Sequence, residues 1–356
     1  MARAREDVDL ACVVLDADDD VYYRSRRAPW ALRRARDGAT VCERRAAITC
    51  ARATAPGRIA VGDADGYLAV VVVGDDGATS TTVETRIDVQ AVTSIGAGMG
   101  YASTKERVVE MWTSNAALAP RRRWTLPRLA PLVAAEGRER DSDGSVTIIA
   151  VGGAAVALTM AEPMVRESAR LASTTTSFFR RAASTALSVV KSVVEPNAEL
   201  GENAVAYEGE DMEAVSSLPR ERTTWIHAFV DAPRRYGAFE FARALDVFAV
   251  ADVARHRVLV FRLIGARSIR LISTIKGCRG ATFAFDVERR ALVIHRPSVR
   301  VVEARRLRDP LEDVVEVIRD AADVLRVIPA DVGPDRVPRV LIRDESGAVR
   351  ARRVDF

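Results

Sequence analysis

The chain has 356 residues and a mass of 38.7 kDa, 48% of it apolar and 29% charged, which admits one large domain or two ordinary ones and excludes disordered, collagenous and membrane-embedded classes. Fifty-three basic residues, of which only Lys105, Lys191 and Lys276 are lysines, face 49 acids, so a pI near 9.0 conceals a net charge of only +4. A nucleic-acid binder is expected to gather a large uncompensated excess on one face, so no nucleic-acid partner is expected.

The opening Met1–Asp7 is charged and runs directly into a strand-like Val8–Leu15 with no visible signal or transit peptide, which predicts a cytoplasmic protein with reduced thiols. Cys12, Cys42, Cys50 and Cys278 form no CxxC and have no histidine at a ligand spacing, so neither a metal site nor a disulfide framework nor any cofactor is expected. Asp16, Asp18 and Asp20 alternate as the first ligands of a calcium loop would, but Val21 stands where the turn needs glycine and Arg27 where a bidentate glutamate is required. A solvated acidic turn is the expected reading.

From there the sequence alternates short apolar runs with turns rich in Asp, Gly and Arg, about every ten residues, as all-β domains do. A module of strand, turn and strand recurs at Ile59–Val73, Val247–Leu263, Ala291–Leu307 and Arg339–Phe356, with looser copies near Ala11, Thr93 and Val146. Steps of about 40 to 50 residues are the spacing of propeller blades. The expected fold is therefore all-β, an irregular seven-bladed β-propeller-like domain of WD-repeat-like type without the Trp-Asp signature, carrying one long helical insertion; two stacked β-sandwiches are the alternative. Gly96, Gly98 and Gly100 lack a following helix N-terminus and read as a turn between strands rather than a phosphate cradle. The uncharged run Val146–Ala161 is too short to span a bilayer and is broken by Gly152-Gly153, so a hairpin is predicted.

Residues 1–163 thus form the first part of the propeller. Residues 164–194 follow with helical periodicity: Leu171, Thr175, Phe178, Ala182, Ala186, Val190 and Val193 recur every three or four positions, and the charges are almost purely basic. Leu171, Phe178 and Phe179, with Arg180, Arg181 and Lys191, suit a helix that meets either an anionic membrane surface or a protein partner. Residues 195–222 read as an acidic flexible linker, with seven acids and no basic residue between Glu195 and Glu213. Residues 223–356 form the second part of the propeller, the insertion and linker lying between the fourth and fifth modules. Leu311–Ile328 fits one helix as well as two strands. His227 and His295 sit in apolar runs as structural, hydrogen-bonded histidines would, no serine lies in Gly-x-Ser-x-Gly, and nothing in the pattern supports an enzyme.

Four motifs of the second part carry a resemblance. Asp231 with Arg234-Arg235, Ala249-Val250-Ala251-Asp252 with Arg257-Val258, Lys276-Gly277-Cys278-Arg279-Gly280-Ala281, and Leu292-Val293-Ile294-His295-Arg296-Pro297 follow one another in the order and approximate spacing of the regulatory, non-catalytic subunit of the Rab-three GTPase-activating protein complex. Cys278 and Gly280 depart from that family's Tyr and Asp, the specific match covers roughly 80 residues, and the family's subunits continue well beyond such a domain. The resemblance implies a non-catalytic scaffold that assists a catalytic GTPase-activating subunit on a Rab-type small GTPase, with peripheral contact to intracellular membranes. It also implies partner contact through Asp252, Lys276, Gly277 and Arg279. A stand-alone lipid-binding propeller and a generic protein-interaction propeller are the alternatives. Exchange rather than activation on a Rab protein is equally compatible.

Overall fold

The computed structural model describes residues 7–74, 79–87, 90–96, 101–104, 107–113, 118–125, 132–139, 146–152, 155–161, 223–230, 236–264, 268–307, 314–318, 323–330, 332, 336–344 and 348–354. Within them the chain folds almost wholly into strands, grouped as small antiparallel sheets that each follow the chain order. The first sheet holds β1 (Val8–Leu15), β2 (Val21–Ser25), β3 (Ala31–Arg34) and β4 (Thr40–Glu43); the second β5 (Ile48–Ala55), β6 (Arg58–Asp63), β7 (Tyr67–Val73) and β8 (Thr79–Arg86). The third comprises β9 (Val92–Ile95), β10 (Tyr101–Thr104), β11 (Arg107–Thr113) and β12 (Leu118–Thr125), the fourth β13 (Leu132–Glu139), β14 (Val146–Gly152), β15 (Ala155–Ala161) and β16 (Thr223–Val230). The fifth contains β17 (Tyr236–Ala242), β18 (Val247–Asp252), β19 (Arg257–Ile264) and β20 (Ser268–Lys276), and the sixth β21 (Thr282–Asp286), β22 (Ala291–Arg296), β23 (Val301–Arg306) and β24 (Val314–Ile318). Three described strands complete the set: β25 (Val324–Ile328), β26 (Arg339–Arg343) and β27 (Val349–Arg353).

The first strand of each sheet touches the first strand of the next, and β25 returns to β1, so the sheets form a closed ring and not two sandwiches. Apolar wedges fill the gaps between neighbours. Tyr22, Leu32, Ile59 and Val61 lie between the first two sheets, and Leu15, Tyr23, Ile328 and Leu341 join the last sheet to the first. Because a sheet in a ring is covered on both faces, its middle strands are buried on both faces and read as continuous apolar runs, as in β6–β7 and β18–β19. The repeated module of the sequence is this middle hairpin in five sheets; the copies near Ala11 and Thr93 instead begin at first strands. Leu311–Ile328 resolves into β24 and β25, which belong to different sheets, and Val146–Ala161 forms the hairpin β14–β15.

The two-part division of the chain does not coincide with a sheet boundary. β16 pairs along its length with β15, so residues 162–222 connect the third and fourth strands of one sheet. The expected helical insertion and acidic linker, with Leu171, Phe178, Phe179, Arg180, Arg181 and Lys191, lie outside the described residues.

A meander fixes which loops meet. Turns between second and third strands share one end of the ring, here the leading end, with the connections to the next sheet; the remaining turns lie at the trailing end. Backbone bonds mark both: Ala64 N donates to the Ala47 carbonyl at 2.9 Å on the leading end, and Leu307 N to the Arg290 carbonyl at 2.7 Å on the trailing end.

His295, in β22, departs from the hydrogen-bonded histidine expected of it. It is buried, its Nδ1 has no hydrogen-bond partner, and burial lowers its pKa from the ordinary value of 6.5. The unfolded chain therefore takes up this proton first as pH falls, so stability is complete above pH 6.5 and lost below it. The loss is at most about 1.4 kcal/mol per pH unit. Urea midpoints of the native chain should fall between pH 7.5 and 5 relative to those of His295→Leu; identical pH dependence in the two would show that His295 protonates freely in the fold.

Candidate interaction face

Three neighbouring loops build a rigid surface at the leading end of the fifth and sixth sheets. The first is the turn between β18 and β19. Asp252 ends β18 wholly buried: its Oδ1 accepts the Arg255 N–H at 3.3 Å and its Oδ2 accepts Arg257 Nε at 2.8 Å. Asp63 closes the equivalent turn of the second sheet in the same way, accepting from Asp65 N at 3.1 Å and Tyr67 N at 2.9 Å. A short carboxylate at this position satisfies turn amides that have no ladder partner. Asp252, expected as a partner contact, is thus a turn-forming group withdrawn from the surface. His256 then takes the left-handed conformation, at φ 51°, and its carbonyl accepts Cys278 N–H at 2.6 Å.

That bond ties the first loop to the second. Lys276 ends β20 directly opposite Arg257, and Gly277 follows at φ +70°. The left-handed backbone favours glycine at this position; an added Cβ would also stand 2.7 Å from Arg296 Nη2, the movable end of that side chain. Cys278 turns inward and packs with Val258, Ile275 and Phe283, while Lys276 and Arg279 stay exposed. The third loop begins at Arg296, whose Nε donates to the Gly277 carbonyl at 3.3 Å; Pro297 starts a single 3-10 turn that Arg300 closes at φ 52°. Val253 and Val299 are exposed at 46% and 51%.

The charge on this surface is one-sided. Asp252 is neutralised by Arg257, and buried Glu303 by Arg296 at 3.3 Å and Arg305 at 2.9 Å, so no loop of the three presents an exposed acid. Of the expected contacts, the structure brings Lys276, Gly277 and Arg279 together at the surface beside Arg300, Val253 and Val299. Sequence reading missed those last three, because their segments are joined only by the bonds between loops of the fifth and sixth sheets.

A second constellation lies where the first strands meet. Arg52 of β5 donates to the Ile95 carbonyl at 3.4 Å and reaches Glu136 of β13 at 3.7 Å and Glu240 of β17 at 3.9 Å, linking four sheets. Glu136 is 2% exposed, is also bonded to Arg243, and rests against Gly96, where an added Cβ would meet both its oxygens at 2.9 Å. Gly96 is therefore kept small by a carboxylate. Arg326 of β25 donates to the Leu10 carbonyl of β1, and burial lowers its pKa. This network joins first strands across the ring, two acids facing three cations.

Among the described residues, the acidic turn and two of the cysteines are occupied or inert. Asp16 is buried and accepts Ala17 N at 2.7 Å and Gly57 N at 3.1 Å, while Asp19 and Asp20 pair with Arg339 and Arg36. The acidic turn is thus held by the fold rather than solvated throughout. Burial pushes the Cys12 thiol to about 11 and Cys50 to about 12, which leaves little thiolate at neutral pH.

No family model and no curated protein matches the chain. Solved structures do. It is similar to a protein from Lactobacillus plantarum, with TM-score 0.55 and 10% identity over 87% of this chain and 84% of that one. Sqt1 of Saccharomyces cerevisiae gives 0.51 and 10% over 99% and 97%, and a chain of the Mitotic Checkpoint Complex gives 0.56 and 10% over 98% and 92%. The fold is of the β-propeller, WD-like type. At this identity the likeness concerns fold alone.

Proposed function

We propose that the chain is a non-catalytic interaction scaffold, a seven-bladed propeller that offers the leading end of its fifth and sixth blades to protein partners. One observation carries this reading: three loops from separate segments are joined by a backbone bond and a side-chain-to-backbone bond, yet leave cations and valines at the surface. Rigid loops on a closed ring supply binding groups at low ordering cost.

The resemblance of the second part gives the scaffold a more specific form, a regulatory subunit acting with a catalytic GTPase-activating subunit on a Rab-type GTPase. Two of its motifs, ending at Asp252 and beginning at Lys276, meet in this face, with Asp252 and Lys276 both opposite Arg257 in the ladder. In that form the basic segment 164–194, through Leu171, Phe178, Phe179 and its cations, would meet an anionic membrane surface, and the protein would act in the cytoplasm, peripherally on membranes. Among the described residues no helix is long and apolar enough to cross a membrane.

The scarcity of lysine makes the test sharp. With purified catalytic subunit, Rab-type GTPase and the full chain, an amine-reactive cross-linker should join a partner to Lys276, and GTP hydrolysis should be faster than without the chain. Cross-links confined to Lys105 and Lys191 would overturn the assignment of the face; unchanged hydrolysis and no cross-link would overturn the Rab form.

A further inference from the structure

We infer that the face formed by residues 253–256, 276–280 and 296–300 binds an acidic linear peptide with apolar side chains, a partner class that rests on the interaction-scaffold reading. Lys276, Arg279 and Arg300 are exposed and have no ion-pair partner among the described residues, whereas Asp252 and Glu303, in the strands that flank these loops, are buried and paired with arginines. A fold that neutralises its acids internally and leaves the cations outside has a surface complementary to negative charge. Arg255 adds to it, although it also lies 3.9 Å from Asp252.

The geometry distinguishes among anionic partners. Duplex nucleic acid calls for an extended basic stripe that tracks the phosphates, more than three unpaired cations on three short loops supply. A bilayer needs bulky anchors that reach the acyl boundary, and Val253 and Val299 are short. A peptide needs neither. Its carboxylates meet separate cations, and an occasional apolar side chain covers the valines, which are the exposed large apolar residues of these loops. The positions are fixed by the Cys278–His256 bond, the Arg296–Gly277 bond and the packing of Pro297 beside Gly280.

The probe is a fluorescein-labelled twelve-residue peptide of alternating Glu and Leu, titrated into the full chain and read by fluorescence anisotropy, with a Gln–Leu peptide as its uncharged control. The Glu–Leu peptide should bind and the control should not. K276E/R279E/R300E, three exposed sites whose exchange leaves the core intact, should weaken binding on the order of 30-fold, and V253S/V299S should weaken it several-fold. A chain in which Glu195–Glu213 is replaced by a neutral linker removes an internal acidic competitor, so binding restricted to that chain supports the same chemistry. Absence of binding in both chains overturns the inference, as does equal binding of the charge-reversed variant. Stronger charge-dependent capture by phosphatidylserine vesicles or a DNA duplex overturns it in favour of those ligands. A Lys276 cross-link to a folded partner together with no acidic-peptide binding would leave the scaffold standing and remove only the peptide.

Discussion

Phe248→Ala is expected to cost about 4 kcal/mol and to lower the melting temperature by about 5 °C in a chain of this length. Phe248 is wholly buried in β18 and stacks on Phe261 of β19 with ring centroids 4.9 Å apart and planes 13° from parallel. Phe239 of β17 lies against its other side at 5.9 Å, tilted by 49°. The three rings, with Ile149, Val151 and Leu259, fill the wedge between the fourth and fifth sheets. Truncation removes the ring's transfer energy and the stacked pair, and leaves a cavity that strands fixed in ladders on both sides cannot collapse into. Chemical denaturation reads the loss directly. Val299→Ala, at an exposed position, should change stability by less than about 0.5 kcal/mol. A loss below about 1 kcal/mol at Phe248 would mean that neighbouring sheets slide to refill the wedge.

What the sequence makes legible follows from where each strand sits in its sheet. Middle strands are covered on both faces, so Ile59–Val73 and Val247–Leu263 stand out as paired apolar runs, and their spacing gives the ring. Fourth strands lie at the outer edge and need little apolar content: Thr79–Arg86 reads TSTTVETR and Leu118–Thr125 reads LAPRRRWT, neither of which announces a strand. First strands carry the charges that meet at the centre. Arg52, Glu136, Glu240 and Arg326 interrupt their apolar pattern, and each looks like an ordinary surface residue until its sheet is placed beside the others.

The interaction face divides similarly. The motif Lys276–Gly280 is local and visible, because two glycines around an inward cysteine and two cations form a turn on their own terms. Asp252 is equally visible, but its role is decided by the third dimension: it looks like a charged loop group and is in fact an acceptor for Arg255 N and Arg257 Nε. Arg300 and Val299 carry no sequence signal, since their proximity to Lys276 depends on the sixth sheet's middle hairpin folding over the connection from the fifth.

Glu136→Gln is expected to destabilise the fold by about 3 kcal/mol, because the side chain keeps its shape while two guanidinium groups lose their shared countercharge. Arg243 and Arg52 retain some water contact, at 29% and 18% exposure, which places the loss at the low end of the range for a broken buried ion pair. Added salt should recover part of it, since the orphaned charges lie on Arg243 and Arg52, which solvent reaches. Arg52 still has Glu240 at 3.9 Å, so the damage concentrates on Arg243 and on the carboxylate's seat beside Gly96. Two consequences separate this mechanism from a general loosening. The double variant Glu136→Met/Arg243→Met should be more stable than Glu136→Gln alone, because it removes both members of the pair instead of one. Amide hydrogen exchange should accelerate in β5, β13 and β17, whose side chains share the network, and stay unchanged in β22 and β23, whose nearest contacts are apolar or pair with Glu303. Acceleration spread evenly over all sheets would show that the ring is held by its apolar wedges and that the central charges are passengers.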